Sequence, residues 1–346
     1  MGNFDDIMQD ITSGLTNNPD CDIPYLMQRV EEYRDNELFR EIARACGRIM
    51  WEILPEEKRA NIAKTIDEHS MDTDAAIQQA LANLKEGKPE KALGFIASAA
   101  RKLDDLAANG WCADDSESVY FNFESAADEI VWRVHSEETR EARCAVEPFC
   151  MVYYLYGSCL YEMGKHAEAI KQLEKAVKWN PSMALSYFEI GENYKKLGDL
   201  ESFNEWADRA YSYIRTPSMM AQYHRTKGYY FTEIGSYTIA AAHQVVSMLF
   251  EQGDMAASEL AYLKTRCGQD FTEMGFDEAV ACLEEEGENV LPDRETLRAL
   301  LALIRIAIDH NDTETVLKVS RDYCALTGDE EIEQLADRIE REIAGN

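Results

Sequence analysis

The feature that most restricts the fold is a block of residues that recurs in the middle of the chain. Tyr153-x-x-Tyr156-Gly157-x-x-Leu160-x-x-x-Gly164-x-His166-x-x-Ala169-x-x-x-Leu173-x-x-Ala176, followed by Pro181, returns after 34 residues as Tyr187-x-x-Ile190-Gly191-x-x-Tyr194-x-x-x-Gly198 with Ala210. A third copy, Gly228-x-x-Phe231-x-x-x-Gly235-x-Tyr237-x-x-Ala240, follows after 37. Apolar residues within each copy have helical spacing, and a period of this length accommodates two helices. The added residues fall at the turn around Pro217, where extra loop length costs little.

The small residues give the pattern its physical sense. Gly157, Gly191 and Gly228 predict points where one helix meets its companion with no side chain between them. Ala169, Ala176 and Ala240 permit similar approach, and the aromatics fill the wider gaps. The second copy has Phe203 where alanine is expected and Ala207 where a large residue is expected, an exchange that conserves volume.

These residues resemble the tetratricopeptide repeat family, whose signature is a spaced aromatic, Leu-Gly, aromatic, Gly, Ala and Pro. The resemblance is strongest over 150–183 and extends through 184–217 to 221–254. Looser echoes occur at Gly87-x-Pro89-x-x-Ala92-x-x-x-Ile96-x-x-Ala99 and at Phe276-Asp277-Glu278-Ala279 with Leu283. It implies an all-α chain in which antiparallel helix pairs stack as a right-handed superhelical solenoid.

The rest of the chain is also read as helical, with alternating strand patterns missing. Residues 1–70 predict an N-terminal helical cap with short helices near 4–13, 24–33, 36–53 and 56–69. Residues 71–149 predict degenerate repeat-like helices, an irregular excursion near 109–116 and a helix at about 117–134. Three repeats over 150–254 are followed by degenerate repeats and an acidic C-terminal cap over 255–346, with helices near 293–310, 312–326 and 330–343. Pro24, Pro55, Pro89, Pro148, Pro181, Pro217 and Pro292 are placed at helix starts or turns, since proline lacks the donor that a helix interior needs.

Charge narrows the function classes. Thirty-five Lys and Arg against 65 Asp and Glu give a net charge of −30, which repels a phosphate backbone, so no nucleic-acid partner is expected. No apolar run is long enough to span a membrane, and the start Met1-Gly2-Asn3-Phe4-Asp5-Asp6 lacks a signal-peptide pattern, so a cytosolic location without membrane association is expected. The nine cysteines form no Cys-x-x-Cys pair and read as reduced thiols, mostly small core residues.

No catalytic constellation is found. The histidines His69, His135, His166, His224, His243 and His310 form no metal-binding spacing. Asp309-x-Asn311-x-Thr313 opens like a calcium loop, but Glu314 replaces the required glycine and Ser320 the closing carboxylate. Gly164-Lys165 is followed by His166 rather than Ser or Thr, and no Gly-x-Gly-x-x-Gly exists. Cys150 and Cys159 read as packing residues. No cofactor, metal or catalytic residue is assigned.

The resemblance implies that the first helix of each repeat lines a groove. The groove-facing residues are then Tyr154, Ser158 and Tyr161, next Phe188, Glu192 and Lys195, and then Arg225, Tyr229 and Thr232. They form an aromatic track with Lys195, Lys196 and Arg225 as a basic element, although the aromatics would serve equally to pack neighbouring repeats. Family members that clamp an acidic C-terminal tail use Lys and Asn on these helices. Tyr154, Ser158 and Glu192 at comparable places argue against that ligand.

The expected function is that of a cytosolic adaptor or scaffold that holds a peptide or protein segment, with oligomeric state left open. One alternative is a regulatory protein like the bacterial peptide-sensing repeat proteins, whose N-terminal bundle acts on a signalling partner. Residues 1–70 carry 15 acidic and 8 basic residues, which disfavours DNA reading. Another is a structural subunit whose groove is filled by its own chain or a second copy.

Overall fold

A computed structural model describes residues 4–34, 36 and 38–344 and divides the chain into two compact units. The first comprises Met1–Phe121 and Thr139–Phe149, the second Asn122–Glu138 and Cys150–Asn346.

In the first unit, α1 (Phe4–Ser13), α2 (Pro19–Glu32) and α3 (Phe39–Ile53) close around Ile7, Ile11, Leu26, Ile42 and Cys46. Pro24 lies inside α2 rather than at its start. Asn18 begins that helix by accepting from the Asp20 amide at 3.1 Å, and Pro19 occupies the first turn, where its missing donor costs nothing. Helix α4 (Glu56–Lys85) runs well past the end expected near 69 and pairs with α5 (Pro89–Ala108). The small and branched residues Ala92, Ile96 and Ala99 form the buried side of α5, as the Gly87-x-Pro89 echo predicts. The His69 side chain lies outside the described residues.

The reading of the whole chain as helix needs one correction. Strands β1 (Ser118–Phe121) and β2 (Glu141–Cys144) pair in parallel, with Ser118 opposite Glu141 and Phe121 opposite Cys144. The helix expected at 117–134 is therefore a strand followed by α6 (Ala126–His135). Asp115 Oδ1 accepts from the amides of Glu117 and Ser118 at 2.9 and 2.7 Å, and Asp114 Oδ1 from that of Tyr120 at 2.9 Å. These bonds occupy donors that a helix would need, and Val119, Tyr120 and Phe121 suit an extended strand. Helix α6 begins only where Ser125 caps the Asp128 amide.

The second unit contains α6 and the repeats. Helices α7 (Phe149–Glu162) and α8 (His166–Trp179) form the first pair, α9 (Ala184–Leu197) and α10 (Leu200–Tyr211) the second, and α11 (Pro217–Glu233) and α12 (Tyr237–Phe250) the third. A Cβ on Gly157 would lie 2.5 Å from Leu173 Cγ and 3.3 Å from the Ala169 carbonyl oxygen. The corresponding carbonyl distances are 3.4 Å from Gly191 to Phe203 and 3.3 Å from Gly228 to Ala240. The glycines thus let all three pairs approach alike, whatever side chain stands opposite.

Helices α13 (Asp254–Cys267) and α14 (Phe276–Glu285) both pack on α12, with Ala279 and Leu283 of α14 fully buried. Helices α15 (Arg294–Asp309), α16 (Thr313–Thr327) and α17 (Glu330–Ala344) follow as antiparallel neighbours. Helix α6 packs on α15 and is fixed to the repeats by Asp128, which is 1% exposed and paired with Arg215. Arg215 Nη1 also donates to the Ser182 carbonyl at 3.0 Å, and Ser182 Oγ donates to the Asp128 carbonyl at 2.8 Å.

Candidate functional site

Only Cys46, Cys150 and Cys159 are buried, while Cys21 and Cys144 are exposed and the other four are half-buried, so fewer are core residues than the sequence suggested. Burial pushes the Cys150 thiol well above its ordinary range and the Cys159 thiol to about 11, which leaves both un-ionised and poor nucleophiles. Among the described residues, no group of three or more His, Cys, Asp or Glu could hold a metal ion. No described helix is long and apolar enough to cross a membrane.

The repeats do form a concavity, of about 510 Å³. Glu192 and Lys195 of α9 and Arg225 and Tyr229 of α11 line it, four of the nine groove-facing residues expected from sequence. Phe203 of α10, Gln244 of α12, and Met255, Ser258 and Glu259 of α13 complete its walls. The aromatic Phe203 meets Tyr229 edge-on, with centroids 5.6 Å apart and planes at 84°. Lys195 Nζ lies 4.6 Å from the Tyr229 ring centroid and 5.4 Å from that of Phe203. These rings and the ammonium form one amphipathic wall.

The other expected residues fall elsewhere. Phe188 is 2% exposed and part of the core, so it presents no surface to a ligand and takes the packing role. Tyr154 is half-buried against the same core, and burial raises its hydroxyl pKa well above the usual tyrosine range. Ser158 Oγ donates back to the Tyr154 carbonyl at 3.1 Å, and Tyr161 stands edge-on to His166 at 5.5 Å. These three α7 residues lie outside the concavity that α9 and α11 share.

Two members of the expected basic element, Lys195 and Arg225, are already paired within the chain. Lys195 Nζ bonds Glu192 Oε1 at 2.7 Å, and Arg225 Nη1 pairs with Glu251 Oε2 at 2.8 Å. Asp254 and Glu259 add further carboxylates to the wall, so its balance is acidic. One helical turn before Glu192, Glu189 is half-buried and has no hydrogen bond or ion pair from its carboxylate among the described residues. Burial, together with the nearby charges of Glu192 and Glu162, raises its pKa to about 7.

Gln244 was not anticipated. It is 1% exposed, and its Oε1 has no hydrogen-bond partner among the described residues. Its amide fits because Gly228 has no side chain, and a Cβ there would collide with Gln244 Nε2. A polar residue within the apolar run Ala240-Ala241-Ala242-His243-Gln244-Val245-Val246 was the available signal.

Residues 157–198, from the middle of α7 to the end of α9, match the family model of the TPR repeat. This segment therefore carries a tetratricopeptide repeat, as its spaced glycines and aromatics indicated. Such repeats are protein-interaction modules. No curated protein matches the sequence.

Proposed function

We propose that the chain is a non-catalytic adaptor or scaffold of the cytosol that holds a peptide or protein segment against the concave face of a right-handed repeat superhelix. The observation that carries this reading is the concavity walled by Lys195, Phe203, Arg225 and Tyr229. Rings pinned by neighbouring side chains offer contact area at little cost in entropy, and ion pairs at the rim give orientation. Tyr154, Ser158 and Tyr161 extend the same ligand path along α7, beside Glu189 and Glu192.

The test is affinity capture from a cell extract by the full chain beside an Arg225→Ala, Tyr229→Ala double variant, each checked for native helicity. Neither residue belongs to the fully buried core, so both proteins should fold. A partner retained by the wild type and lost by the variant supports the groove. Equal recovery of every partner by both proteins removes it.

A further inference from the structure

The reading of this face as a peptide groove leads to a statement about its ligand. The charges of the concavity and of the α9 turn that precedes it are unequal in their commitments. Lys195 and Arg225 already have carboxylate partners, whereas Glu189 has none among the described residues. Glu189 shares its environment with Tyr154 and Tyr161 of α7, and with the like charges of Glu162 and Glu192. A carboxylate so placed lacks both full hydration and a counter-charge, a deficit that a cation supplied from outside would remove.

A second observation is independent of charge. Gln244 belongs to the lining of the same concavity as Glu192 and Lys195, is 1% exposed, and has an Oε1 without a hydrogen-bond partner among the described residues. A buried amide oxygen without a donor is an expensive feature unless something brings one. The side chains around it do not. An extended peptide carries an N–H at every residue, so a segment lying in the concavity brings donors along its whole length.

We propose that the groove binds a cationic peptide segment, with a lysine or arginine side chain of the ligand paired to Glu189 and a backbone N–H of the ligand donating to Gln244 Oε1. Tyr154 and Tyr161 flank the ligand's aliphatic stem, and Tyr229 and Phe203 receive its apolar residues. The ligand's acidic residues are disfavoured, because both groove cations are taken.

The test uses the full chain at about 0.15 M salt, where long-range attraction to an acidic protein is screened. Three fluorescein-labelled, C-amidated peptides are titrated by anisotropy: three repeats of Leu-Ser-Lys, and the same peptide with every lysine replaced by glutamine or by glutamate. The lysine peptide should bind at least tenfold tighter than the glutamine one, and the glutamate peptide weakest. Glu189→Gln should erase the lysine advantage and spare the glutamine peptide, whereas Glu333→Gln, an equal charge change on α17, should alter nothing. Gln244→Met should weaken the lysine and glutamine peptides by a similar factor.

Equal affinity for the lysine and glutamine peptides, no binding of the lysine peptide, or identical effects of Glu189→Gln and Glu333→Gln would overturn the cationic assignment. Tyr229→Ala separates this from the groove itself. If binding is Tyr229-dependent but indifferent to ligand charge, the groove stands and the ligand class falls. If Tyr229→Ala leaves the binding of every peptide unchanged, the groove falls with it.

Discussion

His224 and His243 face each other across α11 and α12, Nδ1 to Nδ1 at 2.9 Å, with neither ring exposed. His224 Nε2 lies 3.1 Å from the Val290 carbonyl, which can only accept, so that nitrogen bears the hydrogen. Neutral His224 then accepts at Nδ1, and His243 donates from its own Nδ1. That leaves His243 Nε2 bare, without a hydrogen-bond partner among the described residues and 3.7 Å from Glu288 Oε2. Two stacked contacts, His224 on Phe250 and His243 on Phe231, hold the rings in place.

The pair predicts a loss of stability on acidification. Burial lowers both pKa values, that of His224 strongly and further through the adjacent His243, while Glu288 only partly offsets the effect at His243. Lys227 opposes protonation of both rings, and Asp208 favours it at His243. A lowered histidine pKa means the unfolded chain binds more protons, so this stability is complete above about pH 6.5 and is lost as pH falls below it. Thermal unfolding midpoints measured from pH 7.5 to 5.5 should fall less steeply in a His224→Gln, His243→Gln double variant than in the wild type.

Glu189 predicts the opposite slope. Its pKa in the folded chain is about 7 against an ordinary 4.5, so its contribution is most favourable below pH 4.5 and is lost as pH rises to 7. Glu189→Gln should therefore stabilise the chain at pH 8 by about 1–2 kcal/mol, reduced from the full shift because the group is only half-buried. Urea titrations at pH 8 and pH 5 should show that gain shrinking toward zero at the lower pH. A gain of equal size at both pH values would contradict the assignment.

Two glycines at equivalent places in successive repeats should respond with opposite sign. At Gly157 a Cβ would lie 2.5 and 2.8 Å from Leu173 Cγ and Cδ2, atoms of a fully buried side chain. Gly157→Ala should cost about 1–3 kcal/mol from overpacking, more than its gain in helix propensity. At Gly191 the nearest atoms lie at 3.4, 3.6 and 3.9 Å, ordinary contact. Gly191→Ala should then stabilise by up to about 1 kcal/mol in the same urea titration.

Asp128→Ala tests the attachment of α6. It leaves Arg215, whose side chain is 17% exposed, without its carboxylate and removes the acceptor for the Ser125 hydroxyl and the Glu124 amide. A loss of about 3 kcal/mol is expected, with faster amide exchange along α6 and α15. A change below about 0.5 kcal/mol would show that the pair contributes nothing net.

The helices were legible because their signals are local. Prolines such as Pro89 and Pro217, and the interval between Gly157, Gly191 and Gly228, lie within a few residues or one repeat of the groups they act on. The four-residue strands were not, since Val119, Tyr120 and Phe121 are too few to show alternation, and their partner begins at Glu141. In the site, offsetting each groove position from the glycine register placed Glu192, Lys195, Arg225 and Tyr229 together. The same offset misplaced Phe188.

The amino-acid order alone determined that this chain makes paired helices, where they touch, and that its middle is a tetratricopeptide repeat. Helical period and side-chain volume act between near neighbours, and both can be read from spacing. Only the tertiary structure decided that Phe188 is covered, that Lys195 and Arg225 are already paired, that Glu189 and the Gln244 oxygen are not, and that two histidines share one proton bridge. Those outcomes depend on what a third helix or a distant loop brings against an already formed pair, and no periodicity within the pair encodes it.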